Sequence, residues 1–323
     1  MSTISSEALG YLRDDVRARW RVLDPLLPEP APLPAGCGAD LVVPGAGGAV
    51  RAAGWCRHWA GQPDSLDITW GAARQYELTA LVAGPDVRQG LDELLIRWRE
   101  HLAELPDAAA SDCAAVVTWP SRDVAGALPL VRHGLTPLAV IAARDARARR
   151  APAQATELPP GLRVRRAAPS DIDVVVALGM EVIRFDANFG GVTERTSSES
   201  AMRQEMEGLL SHRRPWVWLA ERDGEPVGML AAERPERARW IAPMAGLAPV
   251  AYLQEMGVWA GQRGTGTGAA MAAELHRETE GAGVPLILLH YAQVNPLSAP
   301  FWSRQGYRPL WTIWEAWPPG AVR

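Results

Sequence analysis

The chain has 323 residues, of which 48% are hydrophobic and 22% charged, and its formal net charge at pH 7 is -4. This length and composition are typical of two globular domains with packed cores. Acidic and basic residues are interspersed, so the sequence offers no basic stripe for nucleic acid and no polybasic patch for a membrane surface. We therefore expect a soluble protein that has no nucleic-acid or membrane partner.

The first residues, "MSTISSEALGYLRDDVRARW", lack the apolar core of a signal peptide, which predicts a cytoplasmic protein. Cys37, Cys56 and Cys113 are widely spaced and include no CxxC pair, and the six histidines show no HExxH spacing. The sequence therefore predicts neither a disulfide framework nor a metal site.

A domain boundary is predicted in the middle of the chain. Residues 144–160 read "RDARARRAPAQATELPP", an Arg-rich and then Pro/Ala-rich stretch without apolar periodicity, which is typical of a linker. We predict a first domain at 1–150, a linker at 151–160 and a second domain at 161–323.

Predicted elements follow in order along the second half. A short strand in "GLRVRR" precedes a helix that "PSD" opens, and "ESAMRQEMEGLLSHRR" predicts a second helix. Asp223 and Gly224 form the turn dipeptide of a hairpin, which a long loop, a candidate lid, follows. "AYLQEMGVW" is then a strand, a helix runs to about Glu280, and strand "LILLHY", a short helix and a final strand complete the half.

The two halves carry a weak internal repeat. "DVAGALPLVRHGLTPL" (residues 123–138) matches "NPLSAPFWSRQGYRPL" (residues 295–310) at an offset of 172. Upstream, an offset of 177 places Arg263, Gly266 and Gly268 opposite Asp86, Gln89 and Leu91. The first copy thus lacks the arginine and the glycine pair, and the carboxylate of Asp86 would repel a phosphate.

The segment "GQRGTGTG" places Gly264, Gly266 and Gly268 behind Arg263, where a strand becomes a helix. A Walker P-loop is excluded because the chain contains no lysine, and a dinucleotide-binding GxGxxG is excluded because positions 269 and 271 are not glycine. The amides of a helix N-terminus lack intrahelical partners and attract anions. We predict a pyrophosphate site here, the alternative being a merely glycine-rich loop.

These motifs resemble the GNAT superfamily of N-acetyltransferases. The Arg263-x-x-Gly266-x-Gly268 turn carries the resemblance, together with residues at the family's spacing further on: Asn295, Ser298, Phe301, Gly306 and Tyr307. The resemblance covers residues 161–323, a degenerate copy covers much of the first half, and the tandem layout is similar to that of mycothiol synthase. It implies an α+β fold of two GNAT-like domains, each a mixed, mostly antiparallel sheet flanked by helices, with the cofactor motif only in the second.

The resemblance also implies acetyl-CoA as cofactor. Backbone amides after the fourth strand of the domain would hold its pyrophosphate, the pantetheine arm would lie between two splayed strands, and polar residues would flank the thioester. The residues implied to bind the cofactor are Met256, Gly257, Val258, Arg263, Gly264, Thr265, Gly266, Thr267, Gly268, Ala269, Asn295, Ser298 and Trp302.

Acetyl transfer to an amine requires a base, because the amine is mostly protonated near neutral pH. His290, at the end of "LILLH", is one candidate, and Glu255, beside the pantetheine strand, is the other. The chain departs from the family at Trp302, where a tyrosine usually protonates the departing sulfur; an indole cannot act as that acid. Ser298, Ser303 or water are the alternatives, or the thiolate leaves unassisted.

We expect the acceptor to be a primary amine of a small molecule, such as a natural product or antibiotic, or a peptide N-terminus. Asp186, Phe189 and Trp240 are the candidate acceptor-binding residues, while the tryptophans of the final strand line either a groove or a core. We expect a monomer or homodimer. Other hypotheses are a CoA-binding sensor or scaffold without transfer, and O-acylation or decarboxylation on the same fold.

Overall fold

A computed structural model describes residues 6–32, 41–148 and 158–323. Cys37 and residues 151–157 of the predicted linker lie outside the described residues. Within the described ranges, no helix is both long and apolar enough to cross a bilayer. The helices are α1 (Ser6–Leu23), α2 (Val87–Ala103), α3 (Ala127–Arg132), α4 (Ile172–Asp186), α5 (Ser198–Leu210), α6 (Thr267–Gly281) and α7 (Ser298–Arg304). The strands are β1 (Val42–Pro44), β2 (Val50–Ala60), β3 (Arg74–Val82), β4 (Cys113–Pro120), β5 (Thr136–Asp145), β6 (Leu162–Arg166), β7 (Val217–Arg222), β8 (Glu225–Glu233), β9 (Val250–Val258), β10 (Leu286–Ala292) and β11 (Arg308–Ala316).

The chain divides into two compact units that interleave in sequence. The first contains the described residues of 1–61, 72–140 and 309–323, and the second contains 62–71 and the described residues of 141–308. Each half of the sequence therefore contributes a segment to the other half's unit.

Both units have a mixed, mostly antiparallel sheet, as predicted. In the first unit, β1, β2 and β3 pair antiparallel, β3 pairs parallel with β4, and β4 pairs antiparallel with β11. In the second unit, β6, β7, β8 and β9 pair antiparallel in turn, and β9 pairs parallel with β10. In each unit a helix connects the two parallel strands, α2 in the first and α6 in the second. The repeated pattern agrees with the internal repeat of the sequence.

The predicted hairpin of the second unit is confirmed. β7 and β8 pair from Arg222↔Glu225 onward, and the two turn residues, Asp223 and Gly224, have φ of 52° and 90°. Positive φ at both central positions is the geometry that Asp-Gly turns favour between antiparallel strands.

Apolar faces of α4 and α5 form the core on one side of the second unit's sheet. Val175, Leu178 and Ile183 of α4 are buried at helical spacing and join Met202 and Met206 of α5 in one cluster. Strand residues Val217, Leu219, Met229 and Ala231 complete this cluster. The two helices are therefore fixed over strands β7 to β9, where several predicted site residues lie.

The final strand differs from its assignment to the second half. Residues 309–316 of β11 belong to the first unit, where β11 pairs with β4 from Trp311↔Pro120 to Ala316↔Ala115. Trp311 and Trp314 are buried, and Trp314 joins the first unit's main apolar cluster. Of the two alternatives for these tryptophans, a groove or a core, the burial of Trp311 and Trp314 supports the core.

Candidate active site

The glycine segment forms the N-terminus of α6. Gly266 is the N-cap residue, in the left-handed region at φ 85°, and no side chain caps the helix. The amides of the first turn have no intrahelical acceptor, and the positive end of the helix dipole lies at the same point. Gly268 has another role: a Cβ there would lie 3.3 Å from the Phe301 ring. The two glycines thus serve different needs, a left-handed cap conformation and close packing.

The side chain of Arg263 lies against α4. Its guanidinium carbon is 4.4 Å from the centre of the Phe185 ring, its terminal nitrogen is 3.4 Å from Glu181, and its Nε donates to the Val258 carbonyl at 3.2 Å. Arg263 therefore ties the start of the glycine loop to α4 and to the end of β9.

A second arginine, which the sequence analysis did not identify, contacts the glycine loop. Arg222, the last residue of β7, donates to Gln262 Oε1 at 3.1 Å, to Thr265 Oγ1 at 3.1 Å and to the Pro160 carbonyl at 3.0 Å. Thr265 Oγ1 lies 2.9 Å from Thr267 Oγ1, in the first turn of α6. Arg222 thus places positive charge beside the predicted pyrophosphate site and fixes the loop.

Strands β9 and β10 pair over only part of their length. The parallel register runs from Val250↔Leu286 to Leu253↔Leu289, while β9 continues to Val258 and β10 to Ala292. In the pairing of β8 with β9, Ala231 lies opposite Glu255 and Ala232 opposite Leu253. Gln254 is therefore the extra residue of a β-bulge in β9. The bulge lies where the β9–β10 register ends. The predicted pantetheine residues Met256, Gly257 and Val258 follow it, and Gly257 packs closely enough that a Cβ would lie 2.9 Å from the Leu178 carbonyl.

Glu255 is a buried carboxylate without a hydrogen bond. Its exposed fraction is 3%, and neither carboxylate oxygen has a hydrogen-bond partner among the residues that the structure describes. Oε2 lies 2.8 Å from the position that a Cβ would take at Gly179 of α4. Burial, followed by the charges of Asp186 and Glu205, raises the pKa of Glu255 well above the ordinary value of 4.5. A carboxylate with such a pKa is suited to proton transfer nearer to neutral pH.

His290 lies in an aromatic cluster on the same side of the sheet. Its Nδ1 is 3.0 Å from the Tyr252 hydroxyl, and the Trp240 ring is nearly parallel to the imidazole, with centres 6.2 Å apart. Burial lowers the pKa of His290 to about 4, so the imidazole is neutral at pH 7. Register places Tyr252 opposite Glu233 and Glu255 opposite Ala231, which puts Tyr252 and Glu255 on one face.

Asp186 and Asn295 lie together. Asn295 Nδ2 donates to Asp186 Oδ1 at 2.8 Å, while its Oδ1 accepts from the amides of Leu297 and Ser298, at the start of α7. Burial raises the pKa of Asp186, whereas the hydrogen bond from Asn295 and the charge of Arg263 act in the opposite direction. Phe189 packs edge-on against Phe185 at 5.2 Å. Predicted acceptor and cofactor residues therefore meet at the C-terminal end of α4.

Trp302 is buried in the packing of α7. Its ring makes edge-to-face contacts with Phe301 at 4.8 Å and Tyr307 at 5.2 Å. These contacts give Trp302 a packing role, which is consistent with the loss of the family's tyrosine acid at this position.

The first unit shows what the corresponding helix end looks like when a side chain caps it. Asp86 is the N-cap of α2, and its carboxylate accepts from the Gln89 amide at 3.0 Å. Asp15 accepts from the Gly84 amide at 2.8 Å. Since Asp86 and Gly266 are both N-caps, the helices correspond at an offset of 180 instead of the 177 that the sequence comparison used. At the start of α2, the carboxylates of Asp86 and Asp15 therefore occupy the position that a bound anion would take.

The comparisons with known proteins agree with this geometry. Residues 184–307 match the model of the acetyltransferase (GNAT) family. The chain carries a GNAT acetyltransferase domain. This match includes α5, strands β7 to β10, α6 and α7, and therefore the glycine segment and Asn295.

Solved structures are similar to this chain at low sequence identity. A GCN5-related N-acetyltransferase from Sphaerobacter thermophilus is 16% identical with a TM-score of 0.53, over 86% of this chain and 80% of that chain. One from Kribbella flavida is 18% identical with a TM-score of 0.43, over 80% of this chain and 88% of that chain. A tandem GNAT protein of the clavulanic acid biosynthesis pathway is 15% identical with a TM-score of 0.44, over 98% and 97% of the two chains. No match was found among proteins of curated function.

Sequence reasoning missed Arg222, Tyr252 and Glu233. The hydrogen bonds of Arg222 join residues 40 to 62 positions apart, so no local pattern predicts them. Glu233 ends an apolar strand, and its burial, at 7% exposed, follows from the packing of other segments. Alternation along β9 was a usable signal for Tyr252, but the bulge at Gln254 breaks that alternation.

Proposed function

We propose that the protein transfers the acetyl group of acetyl-CoA directly to a primary amine, with Glu255 as the general base. The observation that carries this proposal is the uncapped N-terminus of α6 in a GNAT domain, beside the point where the β9–β10 register ends. Acetyl-CoA would supply an acetyl thioester: the carbon–nitrogen bond would form as the carbon–sulfur bond breaks, and coenzyme A would leave as a thiolate that takes up the proton lost by the acylated nitrogen.

The residues present fit the cofactor. The amides from Gly264 to Ala269 would hold the pyrophosphate, because this helix end has no capping side chain and two arginines, Arg222 and Arg263, lie at its loop. Met256 to Val258 would line the pantetheine arm where β9 has left β10, with Ser298 near its end. The same helix end in the first unit is capped by Asp86, which supports cofactor binding in the second unit alone.

Glu255 suits the role of base better than His290. An effective base has a pKa near the working pH, and burial moves the pKa of Glu255 upward while it lowers that of His290 to about 4. Glu255 has no hydrogen bond to surrender, whereas His290 is bonded to Tyr252. Glu255 would accept the proton of the acceptor ammonium and leave a neutral, nucleophilic amine.

The acceptor would lie on the α4 face of the sheet, where Asp186, Phe189 and Trp240 remain the proposed contacts. Asp186 is held by Asn295 and supplies negative charge close to Glu255. Trp240, 56% exposed, offers an aromatic surface to an amine.

Thiol release with a panel of amines tests the proposal. The full chain is incubated with acetyl-CoA and each amine, and release of coenzyme A is measured together with the mass of the acetylated product. We expect release that depends on the amine and is lost in Glu255→Gln. If calorimetry shows coenzyme A binding while no amine causes release, the protein is a sensor and the proposed transfer is wrong.

A further inference from the structure

One glycine in the interior of α4 lies directly against the proposed base. Gly179 is buried in the middle of the helix, and a Cβ at this position would lie 2.8 Å from Oε2 of Glu255. The sulfur and the terminal carbon of Met202 would follow at 2.9 Å and 3.0 Å. These distances are too short for a Cβ in a close-packed interior, so glycine is the residue that leaves room for the carboxylate.

Local preferences alone do not explain a glycine at this position. Glycine is less favourable than alanine in a helix interior, because it loses more conformational freedom on folding. Other buried positions of α4, such as Val175, Leu178 and Ile183, carry larger apolar side chains. The helix therefore has its weakest helix former at the point where Glu255 approaches it.

A second glycine sets the distance between α4 and the strand that carries Glu255. A Cβ at Gly257, two residues after Glu255 in β9, would lie 2.9 Å from the carbonyl oxygen of Leu178. At the end of the helix, the hydrogen bond from Asn295 to Asp186 holds α4 at 2.8 Å. The helix therefore cannot move away from β9 to admit a side chain at position 179 without breaking these contacts.

We propose that Gly179 is a positioning residue for the reaction: it leaves the space in which the Glu255 carboxylate is held, so that a side chain at position 179 displaces the base. This inference rests on the proposed role of Glu255 in amine acetylation. The atoms nearest to the absent Cβ are the ends of two flexible side chains, those of Glu255 and Met202. A methyl group at position 179 would therefore move the carboxylate more readily than it would move the helix.

The surroundings of Glu255 make such a displacement measurable. Burial raises the pKa of Glu255, and the charges of Asp186 of α4 and Glu205 of α5 act in the same direction. Other titratable groups nearby are Tyr252 of β9, Glu233 of β8 and His290 of β10. A carboxylate that leaves the space beside Gly179 gains contact with water, so its pKa should decrease.

Gly179→Ala tests the inference in the full chain, with acetyl-CoA and an amine that the wild type acetylates. We expect kcat/KM to fall by about tenfold to a hundredfold, the scale of effect of a displacement of about 1 Å at a reacting group. The acidic limb of the pH profile should move to lower pH, while coenzyme A affinity, measured by calorimetry, should stay near that of the wild type. A lower melting temperature with an unmoved limb would overturn the inference.

Gly208→Ala in α5 is the matched control. Gly208 is also helical, but a Cβ there would lie 3.6 Å from the nearest atom, a guanidinium nitrogen of Arg237, which is an ordinary contact. This variant gains the same helix propensity and should keep the wild-type kcat/KM and pH profile.

A double-mutant cycle on thermal stability tests the contact without relying on turnover. Gly179→Ala should lower the melting temperature less in the Glu255→Ala background than in the wild type, because one of its close contacts is then gone. Such coupling, with no thiol release from any amine, would support the contact between Gly179 and Glu255 and overturn the proposed function. A wild-type pH profile and kcat/KM in Gly179→Ala, with no coupling, would overturn the inference and leave the proposed function intact.

Discussion

Single buried residues set the chemistry of the candidate site. Burial disfavours the charged form of both Glu255 and His290, and because one is an acid and the other a base, their pKa values move in opposite directions. At neutral pH this leaves His290 uncharged and makes Glu255 the group whose protonation changes closer to the working range.

The pH dependence of turnover distinguishes the two candidate bases. With Glu255 as base, kcat/KM referred to the ammonium form of the acceptor should fall as the pH decreases through the raised pKa of Glu255, well above 4.5. With His290 as base, that fall should instead lie near pH 4. The profile is measured for the wild type and for His290→Gln, which should keep the wild-type limb; loss of the limb in this variant would contradict the role of Glu255.

Replacing Glu255 should increase stability while it removes activity. The pKa of Glu255 is higher in the folded than in the unfolded chain, so wild-type stability falls as the pH rises from about 4.5 through the folded pKa. Glu255→Gln does not ionise, and we expect it to be more stable than the wild type by about 1–2 kcal/mol above that window, and nearly equal below it. Thermal unfolding between pH 4 and pH 9 measures this difference.

His290→Gln provides the opposite control for stability. In the folded wild-type chain, the pKa of His290 is about 4, below the ordinary 6.5. The stability that the neutral imidazole confers is therefore lost as the pH falls from 6.5 to 4. A Glu255→Gln effect in that same acidic window, and not above it, would contradict the assigned direction of the Glu255 shift.

At the scale of elements, one helix end distinguishes the two units. α6 begins at a glycine without a side-chain cap, whereas α2 begins at Asp86, which caps its own helix. The sequence allowed this difference to be predicted, because the glycine pair Gly266 and Gly268 is absent from the first copy. The sequence comparison aligned the two helices in a register that was wrong by three residues, because the connection before α6 is longer than the one before α2. The weak repeat did not indicate where the additional residues lie.

Gly266→Asp should place a carboxylate at the uncapped N-terminus of α6. Aspartate tolerates the left-handed conformation at φ 85° better than most residues, so the added carboxylate would lie at the anion site. We expect coenzyme A affinity, measured by calorimetry, to fall by more than about tenfold through like-charge repulsion.

Gly266→Asn and Asp86→Ala are the controls for that change. Asparagine has nearly the same shape without the charge and should reduce affinity much less than aspartate. Asp86→Ala should cost the first unit about 1 kcal/mol of stability through the lost cap and leave coenzyme A affinity unchanged. Equal losses for Asp and Asn at position 266 would show that backbone strain, and not an anion site, explains the effect.

At the scale of the whole molecule, the units exchange segments. Strand, helix and hairpin positions followed from local patterns such as the Asp223-Gly224 turn, and the duplication followed from the repeat. The exchange of segments 62–71 and 309–323 could not be predicted from local patterns, because the side chains of β11 alternate in the same way whichever sheet the strand joins.

Cutting the chain in the predicted linker should not separate the halves. A specific protease site inserted after Gln154 would yield two fragments, yet β11 pairs with β4 in the first unit and residues 62–71 are bonded within the second. We expect the fragments to co-elute in size-exclusion chromatography until denaturant is added. Separation under native conditions would contradict the exchange, and a cut chain that ends at residue 308 should associate more weakly.

The place of β11 also has a consequence during translation. Residues 309–323 leave the ribosome only after the whole second unit has been synthesised, yet they supply the strand that covers the edge of β4. Until then, the nascent first unit exposes an unpaired edge and an apolar cluster that lacks Trp314. Completion of the N-terminal unit thus follows the synthesis of the second unit.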